Sequence, residues 1–341
     1  MDNINFNKLT GKYAMYSLRE LPWHTKGTVL ENPPKTMKEV VELSGVDYEV
    51  KKEQVKIHIL DKYGNATYYK NVPKCFATYR TDTNEVFAAV GSDYEVVQNI
   101  DAFTFIDNVL GEGLFDIETA GVLGKGETIF VTAKVPGHMK LGNGDDIVNK
   151  YILFTNSHDG SSTVKAMLTP VRVVCNNTLN AALRNNTNSI SFKHTKNIKD
   201  KLNKGLELMK LSNTYFNEME IVLNQMRKIT VKEDDILPLT CNIVLTSKEL
   251  ELFNANNYDL NTLEEVSTFK KNKIDAIIGS ILHGPGQDLH TNTALWYFNG
   301  VTSYYGNTIS YKDDNDKFKS LTSGTANTEV QRLFNKITAK I

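Results

Sequence analysis

Polar and apolar residues alternate through much of the first half of the chain, a pattern typical of half-buried β-strands. The segment YEVKKEQVKIHIL, the turn Asp61–Asn65 and the returning segment ATYYKNV predict one hairpin. Three further hairpins are predicted, by KCFATYR with EVFAAVG, by FDIETAGVL with ETIFVTAKV, and by KYILFTNS with TVKAMLTPV, the last turning at His158-Asp159-Gly160. A short strand SISF is expected near His194. This half of the chain therefore predicts an antiparallel sheet.

Helical spacing interrupts the strands at three places. In TMKEVVELSG, Thr36 and Glu39 form a capping box and Gly45 stands where a helix commonly ends. Asn99 is the expected cap of the helix IDAFTFIDNVL. The segment VVCNNTLNAALRN has small and apolar residues at helical spacing and is interpreted as a third helix.

The second half of the chain is mainly helical in its pattern. Apolar residues step by threes and fours from Leu202 to Met226, which predicts one long helix. Four more helices are expected, at Lys248–Phe253, Leu263–Leu282, Thr293–Tyr304 and Glu329–Ile341. The predicted fold class is α+β: a core domain of residues 1–195 with a hairpin-rich sheet and packed helices, then a helical domain of residues 196–341.

Composition limits the class of protein. The chain of 341 residues is 40% apolar and 23% charged with a net charge of −1, so it is an ordinary globular protein rather than a uniformly basic one. Cys75, Cys175 and Cys241 are too far apart for a disulfide framework or a thiolate zinc site, and they suit a reducing cytoplasm. The first residues lack the apolar core of a signal peptide, and no apolar run approaches the roughly 20 residues that span a bilayer. We therefore expect a cytoplasmic protein without a membrane partner.

The small net charge conceals a strong separation of charge. Residues 160–199 contain six Lys or Arg and no acid, whereas residues 231–269 contain eight acids against Lys232 and Lys248, a net charge of −6. An acid beside a phosphate costs Coulomb energy, and cations there gain from counterion release. The acid-free segment is therefore a candidate polyanion surface. Two alternatives stay open: a solvated face of the core, and head-to-tail association of the two segments into a homo-oligomer.

The candidate nucleic-acid-binding residues follow from this segment. They are Lys165, Arg172, Arg184, Lys193, His194 and Lys196, joined by Tyr79 and Arg80 from the preceding hairpin. Trp296 and Tyr297 are further candidates for stacking on bases. Asn side chains between the cations supply neutral donors for sugar and phosphate oxygens. The expected partner is single-stranded DNA.

Candidate chemistry is weaker. The glycines at 121, 124 and 126 match neither a dinucleotide fingerprint nor a Walker loop, and we expect no cofactor. His158 and Asp159, with Cys175 and His194, contain the residue types of a hydrolase, but His-Asp-Gly is equally a good tight turn. We assign no catalytic residue, and the hydrolase remains an alternative. His283 and His290 do not have a zinc spacing, so no metal is expected.

Several blocks stand in a fixed order along nearly the whole chain. They are PWH, YRTDTNEVFAAVGSDYEVVQNIDAFTFID, ETAG, NSHDGSSTVKAMLTPVRVVCNNTLNAAL, the pair His194-Thr195, and LWYFNGVTSYYGN. These blocks resemble a family of phage- and plasmid-borne proteins of unknown function. The chain departs from it at Thr25, where Gly is usual, and at Gly300, where Ala is usual. The resemblance implies a mobile genetic element in a bacterial host, near replication and recombination genes, and supplies no catalytic residues.

The order of predicted elements is also similar to the layout of Rad52-type single-strand annealing proteins, a likeness of arrangement alone. Those proteins assemble into rings or filaments and hold DNA in a basic groove. The leading hypothesis is therefore a non-catalytic, oligomeric protein that binds or anneals single strands. The first alternative is a protein-interaction module, as in a scaffold, a virion component or an antagonist of host defence. The second is the hydrolase that uses His158 and Asp159.

Overall fold

The computed structural model describes residues 4–8, 10–18, 26–102, 116–172, 177–178, 188–195 and 205–339. For residues 66, 172, 177–178, 205–213 and 314 it describes the backbone only. The strands are β1 Phe6–Asn7, β2 Lys12–Tyr13, β3 Met15–Leu18, β4 Thr28–Leu30, β5 Val50–Leu60, β6 Ala66–Arg80, β7 Val86–Val90, β8 Asp116–Leu123, β9 Thr128–Leu141, β10 Asp146–Ser157, β11 Val164–Arg172, β12 Asn177–Thr178 and β13 Ser189–Phe192.

The helices are α1 Met37–Ser44, α2 Gly205–Met226, α3 Glu233–Val244, α4 Ser247–Ala255, α5 Thr268–His283, α6 Ala294–Ser303, α7 Asp314–Thr322 and α8 Thr325–Thr338. A π-helical turn, Tyr304–Thr308, continues α6. In the part of the chain that the structure describes, no helix has the length and apolarity needed to cross a membrane.

The main sheet has eight strands in the order β12-β11-β10-β9-β8-β3-β4, with β13 also paired to β11. Strands β3 and β4 run parallel, and the other pairs described in this sheet are antiparallel. A second sheet, β5-β6-β7, is an antiparallel meander, and β1 pairs with β2. The α+β class expected from the sequence is confirmed.

One hydrophobic core joins the main sheet to the helices. Alternate residues of β9 and β10, such as Val131 and Ile152, turn inward and share a buried cluster with Phe216 and Leu223 of α2. Burying a side chain of this size stabilises the fold by about 1.5–3 kcal/mol. The cluster takes residues from both sides of residue 196, and the division into domains at that point stays a prediction.

Local sequence signals placed several elements correctly. Thr36 caps α1 by accepting from the Glu39 amide at 3.3 Å, and Gly45 ends it with φ of 72°. The hairpins β8–β9 and β10–β11 and the short strand β13 also form where they were predicted.

Other predictions were wrong in extent. The segments ATYYKNV and KCFATYR are one strand, β6, because a bulge at residues 72–75 accommodates Pro73. Gln54 holds this bulge by donating to the carbonyl oxygens of Val72 at 2.5 Å and Cys75 at 3.0 Å. The long helix predicted from Leu202 is described from Gly205 as α2, which has 22 residues, or about six turns.

The predicted helix after Pro170 is wrong where it can be compared. Asn177–Thr178 forms β12 and pairs with β11, since the edge of the main sheet offers backbone partners there. The remainder of that segment lies outside the described residues, as does the predicted helix after Asn99 beyond residue 102.

Two helices were missed altogether. In α3, the acids Glu233, Asp234 and Asp235 occupy the first turn, where they complement the helix dipole, whereas we interpreted them only as surface charge. In α7, Asp313 caps the helix by accepting from the Asp316 amide at 2.9 Å.

Candidate nucleic-acid interface

The second sheet ends in a two-stranded hairpin that we call the arm, residues 56–71. Strand β7 pairs with β6 only from Phe76 to Tyr79, so beyond that point β5 and β6 pair with each other alone. At the base of the sheet one face is buried, with Thr78 fully buried and Val50 nearly so. In the arm, large side chains are exposed instead: Ile57, Leu60, Tyr63, Tyr68 and Tyr69.

The pairing register assigns each side chain of the arm to a face. Residues directly opposite each other in an antiparallel pair share a face, and neighbours in sequence take opposite faces. Tyr68 lies opposite Ile59, and Lys70 lies opposite Ile57, so these four form one face. Tyr69 lies opposite His58 on the other face, and their ring centroids are 4.0 Å apart.

The turn at the tip of the arm is held by one carboxylate. Asp61 accepts from the amides of Tyr63 at 2.8 Å and Asn65 at 2.9 Å, and Gly64 adopts the positive φ of 83° that the turn requires. These backbone hydrogen bonds, from Asn65 first and then Tyr63, lower the pKa of Asp61. The tip therefore presents Tyr63 to solvent with 76% of its surface exposed.

The arm and its bulge are strongly basic. Residues 50–75 contain six lysines and two acids, Glu53 and Asp61, which gives a net charge of +4. Asp61 is engaged in the turn, and Glu53 accepts from the Tyr79 hydroxyl at 2.7 Å. Lysines and aromatic rings thus alternate on an exposed surface, an arrangement that attracts a polyanion and stacks on its bases.

The base of the second sheet, which carries the arm at its other end, is fixed by Arg80. Its side chain is 2% exposed, and Nη2 lies 2.6 Å from Oδ2 of Asp82. Nη1 donates to the Lys125 carbonyl at 3.2 Å, in the turn between β8 and β9. Thr78 adds a second link by donating to the carbonyl oxygen of His158 at 2.7 Å. The prediction that Arg80 contacts phosphate does not fit this geometry, because its guanidinium is buried among protein partners.

Tyr79 is half-buried and lies opposite Lys51. By the pairing register, its side chain lies on the same face of the second sheet as Tyr68 and Lys70 of the arm. The hydrogen bond to Glu53 raises the pKa of the Tyr79 hydroxyl.

Lys165 and Lys193 are the cations of the acid-free segment whose side chains are described, and their surroundings differ. Lys165 on β11 donates to the Thr322 carbonyl at 3.3 Å, and burial lowers its pKa, so it supports α7. Lys193 is exposed. Arg172 lies at the end of β11 with only its backbone described, and Arg184 and Lys196 lie outside the described residues.

His194 connects Lys193 to the base of the second sheet. Its ring is 6% exposed and stacks on Tyr94 at 4.8 Å, and its carbonyl accepts from the Glu95 amide at 3.0 Å. Lys52 of β5 in turn donates to the Tyr94 carbonyl at 2.5 Å. Burial lowers the pKa of His194, which makes it a packed residue beside the surface rather than an exposed cation.

The aromatic pair from the helical half is not available for stacking. Trp296 and Tyr297 are 3% and 2% exposed within α6, and the Tyr297 hydroxyl lies 3.3 Å from that of Thr240. Their prediction as base-stacking residues is wrong, because α6 is buried along its whole length.

His158 and Asp159 lie side by side in sequence but bond to different groups. His158 is fully buried, with Nε2 2.6 Å from Oδ1 of Asn99, and burial followed by the nearby His194 lowers its pKa to about 3. Asp159 accepts from Ser157, from Ser161 and, at 3.1 Å, from Lys319. Burial raises the pKa of Asp159, but these hydrogen bonds outweigh it and bring it to about 2.

This arrangement fastens α7 to the β10–β11 turn. The described contacts do not join Asp159 to the His158 ring, and Cys175 lies outside the described residues. Across the described chain, no group of three or more His, Cys, Asp or Glu side chains is placed to hold a metal ion. The hydrolase remains an untested alternative.

Sequence reasoning missed the arm itself, and chiefly Lys56, Tyr68, Tyr69 and Lys70. Its strands were interpreted as half-buried, which assigns one face to the core. One signal was present: Tyr68 and Tyr69 are neighbours in a strand, so one face cannot bury both.

The fold is thus α+β with a basic, aromatic arm. The chain belongs to the family defined by DUF932, a domain of unknown function, whose model matches residues 86–324. No curated protein and no solved structure gives a significant match. The arm precedes the matched range, so the family match leaves its role open.

Proposed function

We propose that this protein binds single-stranded DNA through the arm and acts without catalysis in strand binding or annealing. The observation that carries the proposal is the exposure of Tyr68 and Tyr69, 59% and 66%, between Lys56 and Lys70 on a hairpin of net positive charge. The resemblance to phage- and plasmid-borne proteins supports a role in the replication or recombination of a mobile element, in the cytoplasm of its bacterial host.

The energetics favour single strands over duplex. A base stacked on an aromatic side chain contributes about 1–3 kcal/mol and requires an unpaired base with a free face. Lysines contribute by releasing counterions from phosphates, which gives affinity without sequence preference. The arm supplies both kinds of group, and it extends from a sheet whose base is anchored by Arg80.

The proposed DNA-binding surface extends from the arm toward Lys193. Lys51 and Tyr79 continue one face of the arm, and the contacts Lys52–Tyr94–His194 lead toward Lys193. Arg172, Arg184 and Lys196 stay candidates for the same path. Lys165 contributes through its support of α7, and Arg80 through its support of the arm.

Annealing further requires that two strands meet, which a homo-oligomer accomplishes. The acids of residues 231–269 give that segment a charge opposite to that of the acid-free segment, residues 160–199, and to that of the arm. We therefore retain head-to-tail assembly as part of the proposal, in keeping with the similarity of layout to Rad52-type proteins.

The test is binding of a fluorescent oligo-dT across a salt series, with Lys56→Glu and Lys70→Glu combined. Affinity falls, and the slope of log K against log salt flattens by about 0.7 for each lysine that no longer neutralises a phosphate. Lys248→Glu is the matched control, an exposed lysine on α4. Wild-type affinity in the double variant overturns the assignment. If the protein does not bind the oligonucleotide at any salt concentration but retains a protein partner in a pulldown, the interaction-module alternative is favoured.

A further inference from the structure

The arm differs from the rest of its sheet in presenting two exposed faces. At the base, Thr78 and Val50 are buried against the body of the protein, so only one face meets solvent. Beyond Gln54 the two-stranded hairpin exposes side chains alternately on both sides. An isolated two-stranded hairpin is marginally stable in water, and exposed aromatic groups mark interaction sites. Each face is therefore a binding surface in its own right.

Each face carries a complete set of groups for a single strand. One has Tyr68 with Lys70 and the apolar side chain of Ile57. The other has Tyr69 with Lys56 and the ring of His58. An aromatic platform with an adjacent lysine is the combination that holds a base and its phosphate.

The two sets cannot serve the same nucleotide. Tyr68 and Tyr69 are consecutive in β6, so their side chains leave the backbone in opposite directions. Objects packed on the two faces of a sheet stand about 10 Å to either side of it. A strand held on one face must therefore pass around the edge of the arm before it reaches the other.

We propose that the arm holds two single-stranded segments at once, one on each face. This inference rests on the proposed function, since it specifies how many strands the same arm takes. Two segments held on one hairpin lie on opposite sides of it, so a single chain tethers two strands at once.

The positive charge of the arm fits a polyanion on both faces, and the exposed aromatic rings add platforms on which bases stack. The arm has Lys56, Lys62 and Lys70 against Asp61, whose carboxylate is engaged by the amides of the turn. Lysines therefore flank both aromatic platforms. An acidic patch of another copy matches the same charge, and the experiment separates the two cases by mass.

The experiment is a saturation titration with an oligo-dT of five nucleotides, too short to pass around the arm and occupy both faces. Calorimetry counts the oligonucleotides bound per chain, and light scattering on the same samples gives the number of chains per particle. Wild type binds two per chain. Tyr68→Ala binds one, Tyr69→Ala binds one, and the double variant binds none.

Phe269→Ala is the matched control, because Phe269 is an aromatic side chain 77% exposed on α5, away from the arm. It keeps two oligonucleotides per chain. Saturation of wild type at one per chain, with both tyrosine variants weakening that one site, overturns the two-face inference and leaves the proposed function standing. Absence of binding overturns the proposed function itself. Dimers that dissociate in the tyrosine variants, with no bound oligonucleotide, assign the arm to a second copy of the chain.

Discussion

The guanidinium carbon of Arg80 lies 3.9 Å from the centre of the Tyr48 ring, and both side chains are buried. This stack and the hydrogen bond from Nη1 to the Lys125 carbonyl join the base of the second sheet to the main body, and Asp82 pairs with the same guanidinium. An arginine that sequence reasoning assigned to phosphate is thus a structural anchor.

Replacing Arg80 tests this distinction. Arg80→Ala removes a buried guanidinium from its stack on Tyr48 and from the partly exposed Asp82, and we expect the free energy of unfolding to fall by about 1–3 kcal/mol. Urea denaturation measures the loss. Affinity for single strands, measured on the folded fraction at low temperature, stays within about twofold of wild type. A large loss of affinity at unchanged stability would return Arg80 to the binding surface.

Acid destabilises the fold through His158. Its pKa in the folded protein is about 3, below the ordinary value of 6.5, so the unfolded chain binds more protons between those values. The contribution of His158 is fully present above about pH 6.5 and declines as the pH falls toward 3. The pKa of Asp159 is about 2 in the folded protein and 3.8 ordinarily, so its contribution to stability is also lost as the pH falls, but at lower pH.

We therefore expect the melting temperature to fall from pH 7 to pH 4. His158→Gln keeps a neutral donor for Asn99 and flattens this dependence between pH 6.5 and 4. Thermal unfolding followed by circular dichroism measures both proteins. An equally steep profile in the variant would assign the acid sensitivity to other groups.

His290 and Asp146 test whether the two halves unfold together. Nε2 of His290 lies 3.0 Å from Oδ2 of Asp146, with both side chains buried, and the pair connects the segment after α5 to the start of β10. His290→Ala leaves the Asp146 carboxylate short of a partner, and we expect a loss of about 3 kcal/mol.

Because the hydrophobic core is shared, this loss appears in a single unfolding transition. Calorimetry distinguishes unfolding of the whole chain in one transition from separate unfolding of two domains. Two separate transitions, with only the later half of the chain affected, would support independent domains divided at residue 196.

Gly300 lies where α5 and α6 pack closely against each other. A Cβ at this position would stand 2.5 Å from the Cα of Ile281 in α5. Gly300→Ala gains up to about 1 kcal/mol of helix propensity but forces α5 and α6 apart, and we expect a net loss of about 1–3 kcal/mol.

Gly279 is the matched comparison. It lies in the same helix pair, and a Cβ there meets no atom within 4 Å. Gly279→Ala therefore stabilises by about 0.5–1 kcal/mol. Chemical denaturation measures the free energy of unfolding of both variants, which we expect to fall for Gly300→Ala and to rise for Gly279→Ala. Stabilisation by Gly300→Ala would contradict the packing described.

How far the sequence predicts this molecule depends on whether a feature is local. The caps of α1 and the turn glycines of β8–β9 act over a few residues, and these elements form where the pattern places them. Burial is not local. The sequence placed Arg80 and Trp296 among the candidates for contact with nucleic acid, whereas packing between distant segments buries both side chains. The arm shows the converse, since an alternating pattern cannot tell that neither face meets the core. The acid-free segment was informative about charge but did not indicate that Lys165 would turn toward α7.

The most direct test of the account is the affinity of the Tyr68→Ala, Tyr69→Ala double variant for single-stranded and duplex DNA, measured by fluorescence anisotropy at low salt. We predict that wild type prefers the single strand. The affinity of the double variant for the single strand falls at least tenfold at an unchanged melting temperature. Phe269→Ala binds with the affinity of wild type. Equal affinity of wild type and the double variant for the single strand would contradict the assignment of the arm as the nucleic-acid interface.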